Sequence, residues 1–338
     1  MGAWKIRDIV IPNRVVLAPL AGISNPAFRT IAKEFGVGLV YSEMISDKAI
    51  CYSNKKTLEM CHVDPGEHPI SLQLFGEDID SMVQAAIYLD TQTDCDIIDI
   101  NMGCPVPKIV KGSGGASLMK TPEHAAAIVK AIVAKVKKPV TCKIRIGWDN
   151  QSLDAPAMAR LLEAAGASAI AVHGRTRAAM YSGQVNLEEI AKVKAAVSIP
   201  VIGNGDITDV KSAREMLVKT GVDAIMIGRG ALGNPWLIEE LVADLEENGS
   251  VQPITLQHKF ETARRHAQRL VDLKGENVAM KEMRGHFAWY LTGLPRSHAV
   301  KNMISQMTDY AQFDRIVKNY ENALVNDDWT FLEKEVSR

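Results

Sequence analysis

Short, nearly unbroken apolar runs recur along this chain. Each is followed by a longer stretch in which apolar positions return every three or four residues. The runs are Val15–Ala18, Leu39–Glu43, Ile70–Phe75, Ile97–Asn101, Val140–Ile146, Ala169–His173, Val201–Asn204 and Ala224–Gly228. Runs of Val, Ile, Leu and Ala with no alternating polar face suit strands that are covered on both sides, as in a parallel sheet. The intervening stretches Pro122–Val136, Ala155–Ala165 and Val210–Thr220 carry helical periodicity. Thr121-Pro122-Glu123 and Thr208-Asp209 read as helix starts, and Gly166 and Gly221 stand where helices should stop. Eight strand–helix alternations predict an α/β fold, a (β/α)8 TIM barrel, in preference to an open sheet.

The pattern changes at Glu-Glu-Asn-Gly-Ser-Val-Gln-Pro, residues 246–253, which is polar and contains Gly and Pro. Beyond it no strand signal returns. Thr255–Leu273, Val278–Leu291, His298–Met307 and Tyr310–Val325 all show helical periodicity. The expected organisation is a catalytic barrel over residues 1–245 and a small all-helical domain over 254–338.

Composition narrows this picture. The chain has 338 residues, 47% apolar and 23% charged, enough to bury a large core. No apolar run approaches the roughly 20 residues that span a bilayer, so no membrane association is expected. The first residues carry charges and no cleavage pattern of a secretory signal. The chain begins Met-Gly but lacks the later Ser or Thr of a myristoylation site. Its five cysteines are odd in number and form no CxxC pair, which argues against a disulfide framework and a zinc site. No metal is expected, and a reducing cytoplasm is the natural location. Cys51, Cys61, Cys95 and Cys142 read as small buried apolar residues.

The net charge of −1 says little, but its distribution is uneven. Between His258 and Lys301 there are nine Lys and Arg against four acids, with four histidines. Arg264, Arg265 and Arg269 lie one to two helical turns apart. Such a patch contacts a phosphate backbone or is a solvated helix face; charge alone does not choose.

In a parallel barrel the active site gathers at the C-terminal strand ends. Those ends are polar here: Pro19-Leu20-Ala21-Gly22, Glu43-Met44, Gln73, Asn101-Met102-Gly103-Cys104-Pro105, Lys143 and Arg145, His173-Gly174-Arg175-Thr176, Asn204-Gly205-Asp206, and Gly228-Arg229-Gly230. The last two loops are glycine-rich and follow the seventh and eighth strands, the recurrent phosphate position of this architecture. Glycine lets backbone N–H groups approach an anion, and Arg229 adds a charged contact. Lys143, on a strand, is a Schiff-base nucleophile, a cation facing an electron-rich cofactor, or a side chain reaching solvent at the mouth. Gln73 can donate and accept at a heterocycle edge, or simply satisfy polar groups inside the barrel. His173 is a structural hydrogen-bond partner or a catalyst. Cys104, between Gly103 and Pro105 in a loop, is chemical or packing; position alone leaves both open.

Taken in order, these motifs resemble the tRNA-dihydrouridine synthases, most closely the bacterial B-type group. The resemblance runs from Ala18-Pro19-Leu20-Ala21-Gly22-Ile23 through Asn101-Met102-Gly103-Cys104-Pro105-Val106-Pro107-Lys108 to Asn234-Pro235-Trp236, with Leu20 where methionine is common. It implies an FMN enzyme that uses NADPH to reduce uridine in tRNA. Pro19, Leu20 and Ala21 would edge the FMN ring, Gln73 and Lys143 would meet its pyrimidine side, and His173 would lie near ring and substrate. Asn204, Gly205, Asp206, Gly228 and Arg229 would hold its phosphate. Hydride would pass to uracil C6 and Cys104 would protonate C5, with Asn101 and Arg175 on the substrate side. Arg264, Arg265 and Arg269 would meet tRNA, and no obligatory protein partner is evident. Three other readings stay open: a small-molecule FMN barrel of the dihydroorotate or dihydropyrimidine dehydrogenase kind, which needs no basic helical domain; a Schiff-base aldolase using Lys143; and an RNA-binding barrel without flavin.

Overall fold

The structure, a computed structural model, describes residues 3–332, so the outermost residues of both expected domains, 1, 2 and 333–338, lie outside it. A hairpin of β1 (Trp4–Ile6) and β2 (Ile9–Ile11) comes first. Eight parallel strands follow: β3 (Val15–Leu17), β4 (Val40–Ser46), β5 (Ile70–Phe75), β6 (Ile97–Met102), β7 (Val140–Arg145), β8 (Ala169–His173), β9 (Val201–Asn204) and β10 (Ala224–Ile227). Their order is β3-β10-β9-β8-β7-β6-β5-β4. The remaining gap closes where Leu17 N donates to Leu39 O at 2.9 Å and Val16 bridges Leu39 in parallel. The result is the (β/α)8 barrel that the alternating pattern predicts.

β4 runs three residues past the expected end at Glu43. A register irregularity between Tyr41 and Met44 lets it stay paired with β5 as far as Ser46. The hairpin was not expected. Its signal was short-range alternation, Trp4-Lys5-Ile6 and Ile9-Val10-Ile11, in which the last residue of each strand is buried and the middle one exposed. Ile6 and Ile11 join Val16, Leu39, Ile97 and Ala224 in one buried cluster, so the hairpin completes the barrel core.

Helix boundaries follow local chemistry. Asp209 accepts from Ser212 N and forms a capping box at the start of the helix Val210–Thr220, while Gly221 ends it at φ 68°. Thr121, expected as a cap, makes no side-chain cap bond; the helix Pro122–Val133 relies on its leading proline instead.

The chain divides into two compact units. One runs up to Gly230 and resumes over Leu237–Ser250; the other comprises Ala231–Trp236 and the chain from Val251. The second unit contains the helices Leu256–Lys274, Glu276–Tyr290, Ser297–Gln306 and Tyr310–Asn326. Phe260, Phe287 and Phe313 are fully buried there, with ring centroids 6.4 and 5.1 Å apart along that series. Each such side chain contributes about 1.5–3 kcal/mol by leaving water. Trp236 belongs with this unit: its ring lies 6.2 Å from that of Tyr290, and Lys259 Nζ sits 5.0 Å from its centroid.

Two expectations about single residues need correcting. Cys51 is exposed, because it ends the short helix Asp47–Cys51 beside the equally exposed Tyr52; the other four cysteines are buried and all five are free. Arg264, expected to meet tRNA, has donors committed within the helical unit. Its Nε donates to Asp314 at 2.9 Å and its Nη2 to Glu321 at 3.1 Å, tying its helix to Tyr310–Asn326. Arg265 and Arg269 stand four residues apart on one helix face, both half-buried.

Candidate active site

Parallel pairing places the polar strand ends on one rim. Gln73 pairs with Asp99, Asn101 with Lys143, Arg145 with His173, and His173 with Asn204. Period-two alternation then sets Asp99 and Asn101, or Lys143 and Arg145, on the same face of their strands.

The loop carrying Cys104 is held at three points. Asn101 Oδ1 accepts from Gly103 N at 3.2 Å and from Cys104 N at 2.9 Å. Arg145 Nε donates to Gly103 O at 2.7 Å. Cys104 O accepts from Ala116 N at 3.1 Å. That last bond brings Gly115 close: a Cβ there would stand 2.9 Å from Cys104 O, and its φ is 58°, so glycine is required. The thiol is thus fixed in position although it belongs to a loop. Burial pushes its pKa up, against the pull of the Val106 backbone, Arg145 and Lys143, so it remains a thiol at neutral pH.

Below the rim the polar groups form a chain. Asn101 Nδ2 donates to Gln73 Oε1 at 2.7 Å, and Gln73 Nε2 donates to Asp99 Oδ2 at 2.6 Å. Thr141 Oγ1 donates to Asp99 Oδ1 at 2.6 Å. Asp99 and Gln73 are fully buried. Burial raises the carboxyl to about 6, opposed by the hydrogen bonds from Gln73 and Thr141 and by the charge of Lys143, so Asp99 is ionised at neutral pH.

Lys143 Nζ donates to Asn204 Oδ1 at 3.1 Å, and Asn204 Nδ2 donates to Met226 O at 2.8 Å. Burial and the neighbouring Arg145 lower Lys143 to about 8, which leaves it mostly cationic at neutral pH. His173 is driven to about 2 by burial and then by Lys143, Arg145, Arg175 and Arg229. It is therefore neutral and a poor proton donor at working pH.

The two glycine-rich loops lie side by side because β9 and β10 pair up to Asn204 and Met226. Gly205 has φ 128°, and a Cβ there would stand 2.6 Å from Val185 and 3.1 Å from the His173 ring. Gly228 and the exposed Arg229 follow on the next strand. Pro19 and Leu20 sit at the same rim, Leu20 half-buried, with Ala21 exposed; Glu43 accepts from Gly22 N at 2.5 Å and anchors that loop.

Two expected side-chain roles change. Arg175 is buried, and its donors go to Ser182 O, Gly183 O and both oxygens of Asp206, so it has no substrate-facing group. Asp206 is correspondingly committed to Arg175, with Arg229 at 3.6 Å; what it offers an anion is its backbone. Asp99 was passed over, and Arg145 was noted at its strand end without a role. Arg145 staples Gly103 O to Thr176 O and Met180 O, both at 2.8 Å from its Nη1. Asp99 lies two positions before Asn101, so strand alternation alone could have flagged it as facing the same interior.

A sequence profile of the dihydrouridine synthase family matches residues 16–326, spanning both units. The chain belongs to this family. It is 38% identical over 322 residues to a "Probable tRNA-dihydrouridine synthase" of Rickettsia bellii, covering 95% of this chain and 98% of that one. It is 38% identical to "tRNA-dihydrouridine synthase B" of Pseudomonas aeruginosa, with 91% and 93% covered, and 40% identical to the protein of the same name from Shewanella oneidensis, with 85% and 89% covered. Among solved structures, a variant of morphinone reductase in complex with tetrahydroNAD superposes with a TM-score of 0.52 at 14% identity, covering 76% of this chain and 93% of that one. That likeness concerns the barrel fold. Within the family assignment, the aldolase reading of Lys143 loses its ground. No helix among the described residues is long and apolar enough to cross a membrane, and no group of residues among them is arranged to hold a metal.

Proposed function

We propose that this protein reduces uridine in tRNA to 5,6-dihydrouridine, using FMN held at the barrel rim and NADPH as reductant. The observation that carries the reading is Cys104, fixed by its backbone on the same rim as Lys143 and Asn204, in a chain of this family. The residues fit the cofactor. Gly205 and Gly228 leave backbone open to a phosphate, and Arg229 supplies its counter-charge. Gln73 presents an amide whose orientation is fixed, and Lys143 places a cation where negative charge would gather on a flavin ring. A bound flavin supplies the hydride, delivered to uracil C6.

The chain's own residues complete the reaction. Cys104 gives its proton to C5 and becomes a thiolate, which Arg145 and Lys143 stabilise until solvent returns the proton. Asn101 and Arg145 hold the loop so that the thiol stays aimed. His173, being neutral, offers a hydrogen bond and does not compete as acid. The target base must leave its stack to reach this rim.

The test separates two half-reactions by stopped flow. Cys104→Ala should bind FMN and be reduced by NADPH normally, while reoxidation by unmodified tRNA slows about 10² to 10⁴-fold. Wild-type reoxidation would remove Cys104 from the mechanism. Absence of any flavin spectrum in the native protein, even with FMN added, would overturn the reading as a whole.

A further inference from the structure

We propose that Asp99 is a positioning residue of the active site: its carboxylate sets the direction of the Gln73 and Asn101 amides and so holds the backbone of Gly103 and Cys104. The idea rests on the reading of Cys104 and Gln73 given above, and it adds a residue that touches neither cofactor nor substrate.

An ionised carboxylate only accepts hydrogen bonds. Gln73 must therefore turn its NH2 toward Asp99, as it does at 2.6 Å. Its carbonyl oxygen then faces the other way and can only accept, so Asn101 must present its NH2, which it does at 2.7 Å. That leaves Asn101 Oδ1 aimed at the loop, where Gly103 N and Cys104 N both donate to it. Each amide has two ends; the donor-only backbone at the top and the acceptor-only carboxylate at the bottom require the same direction, and a neutral partner at the bottom would leave the backbone alone to hold it. The reverse direction would set the NH2 of Asn101 against two backbone N–H groups, donor against donor. Asp99 excludes it.

Among the side chains in this chain of bonds, Asp99 alone accepts without donating, and it demands the same direction as the two backbone N–H groups at the top. Thr141 can donate or accept, so it follows Asp99 and does not select a direction. A fully buried carboxylate in a barrel interior is a costly way to fill space, and an apolar residue would pack there at lower cost.

Amide hydrogen exchange of the segment containing Gly103 and Cys104 reads the proposal directly and needs neither flavin reduction nor tRNA. In Asp99→Asn that segment should exchange about five- to tenfold faster, the factor that separates a charged from a neutral hydrogen bond. Thr141→Val removes the other donor to Asp99 and leaves the chain's direction alone, so exchange there should stay at the wild-type rate. The double variant Asp99→Asn, Gln73→Glu places the acceptor-only group one link higher. It should return the loop to the wild-type rate while changing the flavin contact. In kinetic terms Asp99→Asn should slow reoxidation by tRNA with KM for tRNA unchanged.

Unaltered exchange in Asp99→Asn would overturn the proposal. So would equal loosening in Thr141→Val, which would mean general softening of the core, or a double variant that stays loose. If Asp99→Asn does not fold, the double variant carries the test; if neither folds, the carboxylate is purely structural and the proposal fails. A protein that never reduced tRNA would sink the functional reading and leave the exchange result standing.

Discussion

A thiol serves as an acid only while it keeps its proton, and at Cys104 the fold arranges this by burial. In the proposed reaction, its cationic neighbours would stabilise the thiolate once the proton has gone, without ionising it beforehand. Arg229 acts more simply, as an exposed charge beside two glycine loops. Arg229→Ala should weaken FMN binding by about 1.5–3 kcal/mol, the range for hydrogen bonds to charged groups, as read by fluorescence titration. Asp99 gives a pH signature. Its folded pKa of about 6 lies above the unfolded value, so between roughly pH 4 and 6 the folded state binds the extra proton. Its favourable contribution is present at low pH and is lost as pH rises through 6. Thermal melts should therefore show Asp99→Asn gaining on the wild type from pH 4 to 7, by up to about 3 kcal/mol.

At the scale of elements, two arginines pin the loop after β8. Arg145 holds Thr176 and Met180 from β7, and Arg175 holds Ser182, Gly183 and Asp206. Each donates several charged hydrogen bonds to carbonyl oxygens from a planar fork, which lysine cannot copy. Arg175→Ala should free the Asp206 carboxylate beside the phosphate loops. FMN affinity should then fall about tenfold through repulsion, although Arg175 itself offers no donor to the phosphate. Adding Asp206→Asn should recover most of the loss; a titration in which it does not would show that the loop has collapsed. Gly205 belongs to the same design. Gly205→Ala should strain the backbone at φ 128° and push Val185 and the His173 ring, lowering both flavin retention and melting temperature.

For the molecule as a whole, part of the basic run in the helical unit serves as struts. Arg264 bonds Asp314 and Glu321, Lys274 bonds Glu282, and Arg284 donates to Met307 O. Arg264→Ala should lower stability by about 1–3 kcal/mol, since two acids lose a charged donor. Its tRNA affinity at a temperature where it is folded should remain close to wild type. Replacing Arg265, Arg269 and the exposed Lys281 with Ala should instead weaken tRNA binding, measured well below the melting temperature. The slope of log affinity against log salt should shrink by about 0.7–0.9 for each phosphate that is no longer neutralised. An unchanged slope would mark that face as ordinary solvated surface.

The sequence by itself determined the elements of the barrel and the residues at its rim. Strand alternation is a local property, so Ile70–Phe75, Ala169–His173 and Val201–Asn204 were legible to the residue, as were glycine stops such as Gly221. Cys104, Lys143 and the glycine loops were legible as candidates for the same reason: they stand in short contiguous segments at the strand ends. What only the tertiary structure decided is how each polar group is spent. A hydrogen bond joins atoms near in space and far along the chain, as Arg264 joins Asp314 and Glu321, 50 and 57 residues on. A window of sequence around Arg264 contains neither acid, and so it showed a free cation. The family resemblance put Arg175 on the substrate side, and its partner Asp206, 31 residues away, became evident only in the fold. Asp99 was passed over because its worth lies in the order of donors and acceptors through Gln73 and Asn101, three residues on two strands that pairing alone brings together.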